Sequence, residues 1–144
     1  MQAAWRFDFP DATAERLYAV AADVESYPDF LPGCVAARVA ARRPDRLLVD
    51  NVFGMGPMRV KFRTTAFPEP PERLRVTSDD GPWRRFELEW RFADLAQGGA
   101  AAELAVEAAF RSPLLEGIAG SAFARLEQKL VAAFRRRLAL TDGR

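Results

Sequence analysis

The chain has 144 residues, enough for one domain with a real core and no need of staples. Hydrophobic residues make up 49% and charged residues 28%, which excludes a disordered chain, and a net charge of +1 gives no footprint for specific DNA binding. There is no histidine and a single cysteine, Cys34, which excludes histidine acid–base or metal chemistry, an intrachain disulfide and any multi-cysteine metal site.

In chain order, Trp5, Phe7 and Phe9 alternate with Arg6 and Asp8, the period of a half-buried strand, and Pro10 closes it. Asp11 or Thr13 then caps a helix whose apolar stripe is Leu17, Tyr18, Val20 and Ala21. Pro28, Pro32 and Gly33, set among Tyr27, Phe30 and Leu31, predict a compact aromatic connection with a short helical turn. From Val35 to Phe110 the punctuation becomes strand–turn–strand. Strands are predicted near 35–41, 46–53, 58–67 and 73–79, with Pro68 to Glu72 as a rigid connector between the last two. Phe86, Leu88, Trp90 and Phe92 alternate with Arg85, Glu87, Glu89 and Arg91, and Leu104, Val106, Ala108 and Phe110 repeat the pattern after Gly98 and Gly99.

Ser112 and Pro113 then mark a helix start, and the period changes to that of a helix. Leu115, Ile118, Ala119, Ala122, Phe123, Leu126, Leu130, Phe134 and Leu138 share its apolar face. The helix is predicted to fill most of the ~25 residues before Gly143, with Arg135, Arg136 and Arg137 in its last turns complementing the helix dipole.

The order β-α-(short α)-β6-α makes this an α+β chain. A seven-stranded antiparallel sheet needs cover for its apolar face, and the C-terminal helix is the large apolar surface left to supply it. Right-handed twist curls such a sheet around the helix, and a gap tends to remain between them. Periodicity leaves open whether side chains fill that gap.

Three segments carry a resemblance: Ala22-Asp23-Val24-Glu25-Ser26-Tyr27-Pro28-Asp29-Phe30-Leu31-Pro32-Gly33-Cys34, then Asp80-Gly81-Pro82-Trp83, then Phe110-Arg111-Ser112-Pro113-Leu114-Leu115. In order and spacing they resemble the coenzyme Q-binding and ribosome association toxin branch of the START-like superfamily, the helix-grip proteins grouped with polyketide cyclases and dehydrases. The likeness spans nearly the whole chain, read as one domain over residues 1–144, and implies a curved sheet wrapped on a long C-terminal helix around a pocket for a prenylated quinone of the ubiquinone type or another lipid. Gly33 departs from it, standing where relatives commonly carry a tryptophan.

On that basis the strand-face residues Phe53, Val60, Phe62, Phe86, Leu88, Trp90, Val106 and Phe110 are candidate lining, as are Leu115, Ile118, Ala119 and Phe123 of the last helix. Each is equally accounted for as ordinary core, since burial yields roughly 1.5–3 kcal/mol per side chain with or without a ligand. Tyr27, Phe30 and Leu31 are either a lid over the mouth or a structural corner. Asp50 and Asn51 are adjacent on a strand, and either is placed to point inward. Strand glutamates and arginines read as a solvent face. Cys34 has no histidine to activate it and reads as a small buried hydrophobe.

The leading expectation is therefore a non-enzymatic carrier or chaperone for a hydrophobic ligand, with no covalent cofactor, in respiration or quinone biosynthesis. It is expected in the cytoplasm, at most in transient contact with the inner face of the membrane. One alternative is a ribosome- or protein-interaction role through Arg84, Arg85 and Arg135 to Arg137. Another is a polyketide aromatase/cyclase or dehydratase, for which Asp50 and Tyr27 are the candidate acid–base groups.

Overall fold

The alternating segments form strands because every second side chain is apolar, and their register sets which face each presents. A computed structural model describes residues 1–142, with the side chains of Met55, Ala122, Phe123, Thr141 and Asp142 outside the described set. The strands are β1 (Gln2–Phe9), β2 (Cys34–Arg42), β3 (Leu47–Met55), β4 (Met58–Glu69), β5 (Arg73–Ser78), β6 (Trp83–Asp94) and β7 (Ala100–Phe110). They form one seven-stranded sheet in the order β1-β7-β6-β5-β4-β3-β2, antiparallel throughout. β2 to β7 are a meander, and β1 closes the far side by pairing with β7 from Gln2–Glu107 to Phe9–Ala100.

The helices are α1 (Ala14–Ala22), α2 (Tyr27–Phe30), α3 (Pro113–Phe123) and α4 (Leu126–Asp142), with a 3-10 turn at Val24–Ser26 before α2. Thr13 caps α1, its hydroxyl accepting from the Arg16 amide. Ser112 caps α3 through the Leu115 amide.

Two expectations need correction. The C-terminal helix is interrupted: α3 ends at Phe123 and α4 begins at Leu126. The turn falls at Ala124-Arg125, while the run Gly117-Ile118-Ala119-Gly120-Ser121, with two glycines and a serine, lies within α3 itself. Because α4 continues to Asp142, Arg135 to Arg137 lie before its last turn rather than at the helix end. The second correction concerns Pro68, which belongs to β4 and faces Leu74 of β5. β3 begins at Leu47 opposite Ala66, so Pro68 has no strand on its other side and its missing N–H breaks no ladder bond.

The core falls into two clusters on the inner face of the sheet. One joins Phe7, Phe9, Trp90, Phe92, Leu104 and Val106 to α1 and to Leu130, Phe134 and Leu138 of α4. The other joins Val60, Phe62, Trp83, Ala108 and Phe110 to Leu115 and Ala119 of α3.

Candidate functional site

The sheet curls enough that α3 lies across it like a bar. Its main sheet contacts are β3 and β7, the strands next to either edge, with β4, β5 and β6 spanned between them. α4 continues the cover on to α1 and α2. Along β5 and β6 the inner face passes from one cluster to the other through Val76, Phe86 and Leu88, which point inward yet are only half-buried. Phe86 touches both clusters. An inward side chain that solvent still reaches marks a place where the helices do not meet the sheet.

The predicted lining residues divide between the two ends of this face. Val60, Phe62, Phe110, Leu115 and Ala119 are buried together at the α3 end, with Phe53 half-buried beside them. There Phe53 stacks on Phe62 at 5.7 Å, and Trp83 meets Phe62 edge-on at 5.4 Å and lies tilted against Phe86 at 4.7 Å and Phe110 at 4.4 Å. Trp90 and Val106 are buried at the α4 end, with Phe30, Leu31 and Leu88 packed partly against them. Ile118 is half-buried and faces the β3–β4 hairpin, its Cγ2 lying 3.4 Å from where a side chain on Gly56 would begin. Phe123 and Ala122 lie outside the described side chains.

The segment from Tyr27 to Cys34 is tied down along its length. The Tyr27 hydroxyl donates to the Ala21 carbonyl, and burial raises its pKa. The Leu31 amide donates to Tyr27 O at 2.7 Å, and the Gly54 amide to Gly33 O at 2.8 Å. Gly33 has a φ of +82°, a left-handed conformation that a tryptophan there would adopt only under strain. Cys34 is buried, and burial pushes its thiol up to about 11.

Asp50 and Asn51 take opposite faces. Asp50 points out and binds Arg63 through two hydrogen bonds, of 2.7 and 3.2 Å, which hold its carboxyl below the usual range. Asn51 points in and is 7% exposed, while Thr64 on the neighbouring strand is 6% exposed; these are the buried polar side chains of the described residues. The two candidate acid–base groups are thus committed elsewhere, Asp50 to an outer ion pair and Tyr27 to a backbone carbonyl.

Thr64 and Trp83 belong to this face although neither was among the expected lining residues. The signal for Thr64 was available as the one polar member of the inward series Val60, Phe62, Thr64 and Ala66. The indole Nε1 of Trp83 is buried without a hydrogen-bond partner, which no pattern in the chain foretells.

An open concavity of about 1330 Å³ lies elsewhere. It runs over the outer face from Pro28 and β2 to the start of β6, with Arg38, Asp50, Lys61, Arg63, Arg85 and Glu87 among its lining. Its mixed charge suits a polar surface rather than an apolar ligand. The arginines of α4 do not extend it, since Arg135 lies over Phe9 at 5.9 Å and Arg137 over Phe30 at 5.5 Å.

Known proteins share this arrangement. Ribosome association toxin RatA of Escherichia coli K12 is 28% identical over 122 residues, covering 85% of this chain and 77% of that protein. The mitochondrial coenzyme Q-binding protein COQ10 homolog B of Xenopus laevis is 24% identical over 134 residues, covering 90% of this chain and 55% of that one. Among solved structures, the Zhui aromatase/cyclase from a Streptomyces species superposes with a TM-score of 0.84 over 99% of this chain and 98% of its own. At 13% identity that last likeness concerns the fold, which is the helix-grip, START-like one. The model of one family matches residues 10–135, from just after β1 into α4, and so takes in β2 to β7 and α3, the bar across them. By that match the chain belongs to the polyketide cyclase / dehydrase and lipid transport family.

Proposed function

We propose that this chain is a non-enzymatic carrier that holds a prenylated quinone or similar lipid between the inner face of its sheet and the bar formed by α3. The observation that carries this reading is the row of inward but half-buried side chains, Val76, Phe86 and Leu88, between two well-packed clusters. An apolar tail laid along that row would remove exposed apolar surface, at roughly 25 cal/mol for each Å² covered. The COQ10 relative supports a quinone as the class of ligand. A binding role rather than catalysis is supported by the chain's lack of histidine and by the neutral character of Asn51 and Thr64.

The test is to extract the protein purified from its native host under non-denaturing conditions and analyse the organic phase by mass spectrometry. A prenyl quinone or lipid in roughly stoichiometric amount is expected. An empty extract, together with no binding of labelled quinone added back, would overturn the reading.

A second reading, attachment to the ribosome, is supported by the RatA relatives and by the cations Lys61, Arg84 and Arg85 that line the outer groove. Co-sedimentation with large ribosomal subunits at low salt is then expected, because screening is weakest there. Failure to co-sediment under those conditions would remove it.

A further inference from the structure

The inner face is apolar apart from one polar spot, and that spot has hydrogen-bonding capacity to spare. Asn51 lies between Val49 and Phe53 on β3, directly opposite Phe62 on β4. Its Nδ2 donates to Val49 O at 3.1 Å, to Phe62 O at 3.3 Å and to Thr64 Oγ1 at 3.1 Å. Two of these partners are carbonyls, which only accept. The amide is therefore fixed with its nitrogen toward the strands, because the flipped amide would set oxygen against oxygen. Oδ1 is left turned away from them, and no described donor reaches it; unlike the Trp83 indole nitrogen it is not sealed off, and it opens toward the gap. The Thr64 oxygen is occupied as an acceptor, but its hydroxyl hydrogen has no described acceptor. Across Phe62, which Trp83 meets edge-on at 5.4 Å, the buried Trp83 Nε1 has no partner either.

Folded proteins leave few buried polar groups unpaired, so the Trp83 indole calls for a partner, while Asn51 Oδ1 and the Thr64 hydroxyl are open to a ligand laid against Phe62. That partner must be neutral, since Asn51 and Thr64 are the buried polar side chains of the described residues and neither carries charge. It must also donate, because Asn51 Oδ1 can only accept. A carbonyl head-group can answer Thr64 and Trp83 but leaves Oδ1 empty. A hydroxyl on an aromatic ring accepts from the donors and gives its own proton to Oδ1.

We infer that Asn51, backed by Thr64, selects the hydroxyl-bearing form of the ligand's head-group, so that the protein binds a quinol-type ring in preference to the corresponding quinone. This rests on the reading that the inner face holds such a ligand, and adds which redox form it prefers. Asn51 acts here as a specificity residue, and no electron transfer is involved.

The experiment is an anaerobic titration of the full chain with three probes: a decyl-substituted 1,4-benzoquinone, its hydroquinone, and the dimethyl ether of that hydroquinone. Quenching of tryptophan emission, with Trp83 and Trp90 on the inner face, reports occupancy. The hydroquinone is expected to bind about tenfold more tightly than the other two, the size of one hydrogen bond. Asn51→Leu should bring all three to a common affinity, and Thr64→Val should weaken the quinone and the hydroquinone together. The comparison of hydroquinone with its ether needs no variant, and so stands even if Asn51→Leu fails to fold. Equal affinities for the three probes on the wild-type chain would overturn the inference and leave the carrier reading intact. If none of the three binds, both fall.

Discussion

Gly81 turns the chain between β5 and β6 with a φ of +62°, and a Cβ there would sit 2.5 Å from the Lys61 carbonyl oxygen and 3.0 Å from Phe62 Cβ. Backbone cannot yield as a side chain does, so Gly81→Ala should cost upward of about 2 kcal/mol. Gly98 is the control: its φ is +100° but its surroundings are open, and Gly98→Ala should cost about 1 kcal/mol. Urea denaturation of the two variants beside the parent checks the contrast. Cys34 provides a residue-scale effect of pH. Burial lifts its thiol from an ordinary 9.0 to about 11, so the folded state holds that proton more tightly than the unfolded one. Its contribution is whole below pH 9 and is lost as pH climbs toward 11. Melting temperature should therefore fall over that interval, and Cys34→Ala should make the fall shallower, with the raised Tyr27 adding to it in both proteins. A melting curve that keeps the same alkaline slope after Cys34→Ala would remove the thiol from the account.

At the scale of elements, Phe134 ties α4 to two other elements. Phe134 lies against Trp90 at 5.1 Å and edge-on to Phe30 at 6.0 Å, thereby joining α4 to both β6 and α2. Phe134→Ala should cost about 3–5 kcal/mol by chemical denaturation, whereas Leu140→Ala on the open face of the same helix should change stability by less than about 0.5 kcal/mol. The strands of this fold were legible in the sequence because each reports its inner face by alternation, as Phe86, Leu88, Trp90 and Phe92 do. Position 50 against 51 was not. Val52 and Phe53 are both apolar, so the alternation has no unique phase there, and only pairing of Asn51 with Phe62 decides which side chain turns inward. The interruption between α3 and α4 was equally hidden, because apolar spacing continues through it in phase. Tyr27 reads as part of either a lid or a structural corner in a proline-rich run. That it anchors to the Ala21 carbonyl depends on the geometry of the 3-10 turn before it, which residue type alone does not specify.

For the whole molecule the open question in the sequence was whether large side chains close the gap between sheet and helices, and Leu88 is placed to answer it. It lies on the inner face of β6 between Val76 and Val106, half-buried, in the row that joins the two clusters. A tryptophan at this position adds volume in that row alone. In a tightly packed core the added ring would force its neighbours apart and cost about 1–3 kcal/mol. In a space kept for a ligand it would occupy room otherwise unfilled, leaving stability near that of the parent. Leu88→Trp is therefore expected to fold with little loss and to abolish quinol binding. The parent, by contrast, should gain about 2.7 kcal/mol of stability with ligand at a hundred times its dissociation constant. Thermal melts of both proteins, with and without the decyl hydroquinone, measure the two effects together. A Leu88→Trp protein that melts much lower, or that is still raised by the ligand, would mean that this row is ordinary core and the ligand lies elsewhere.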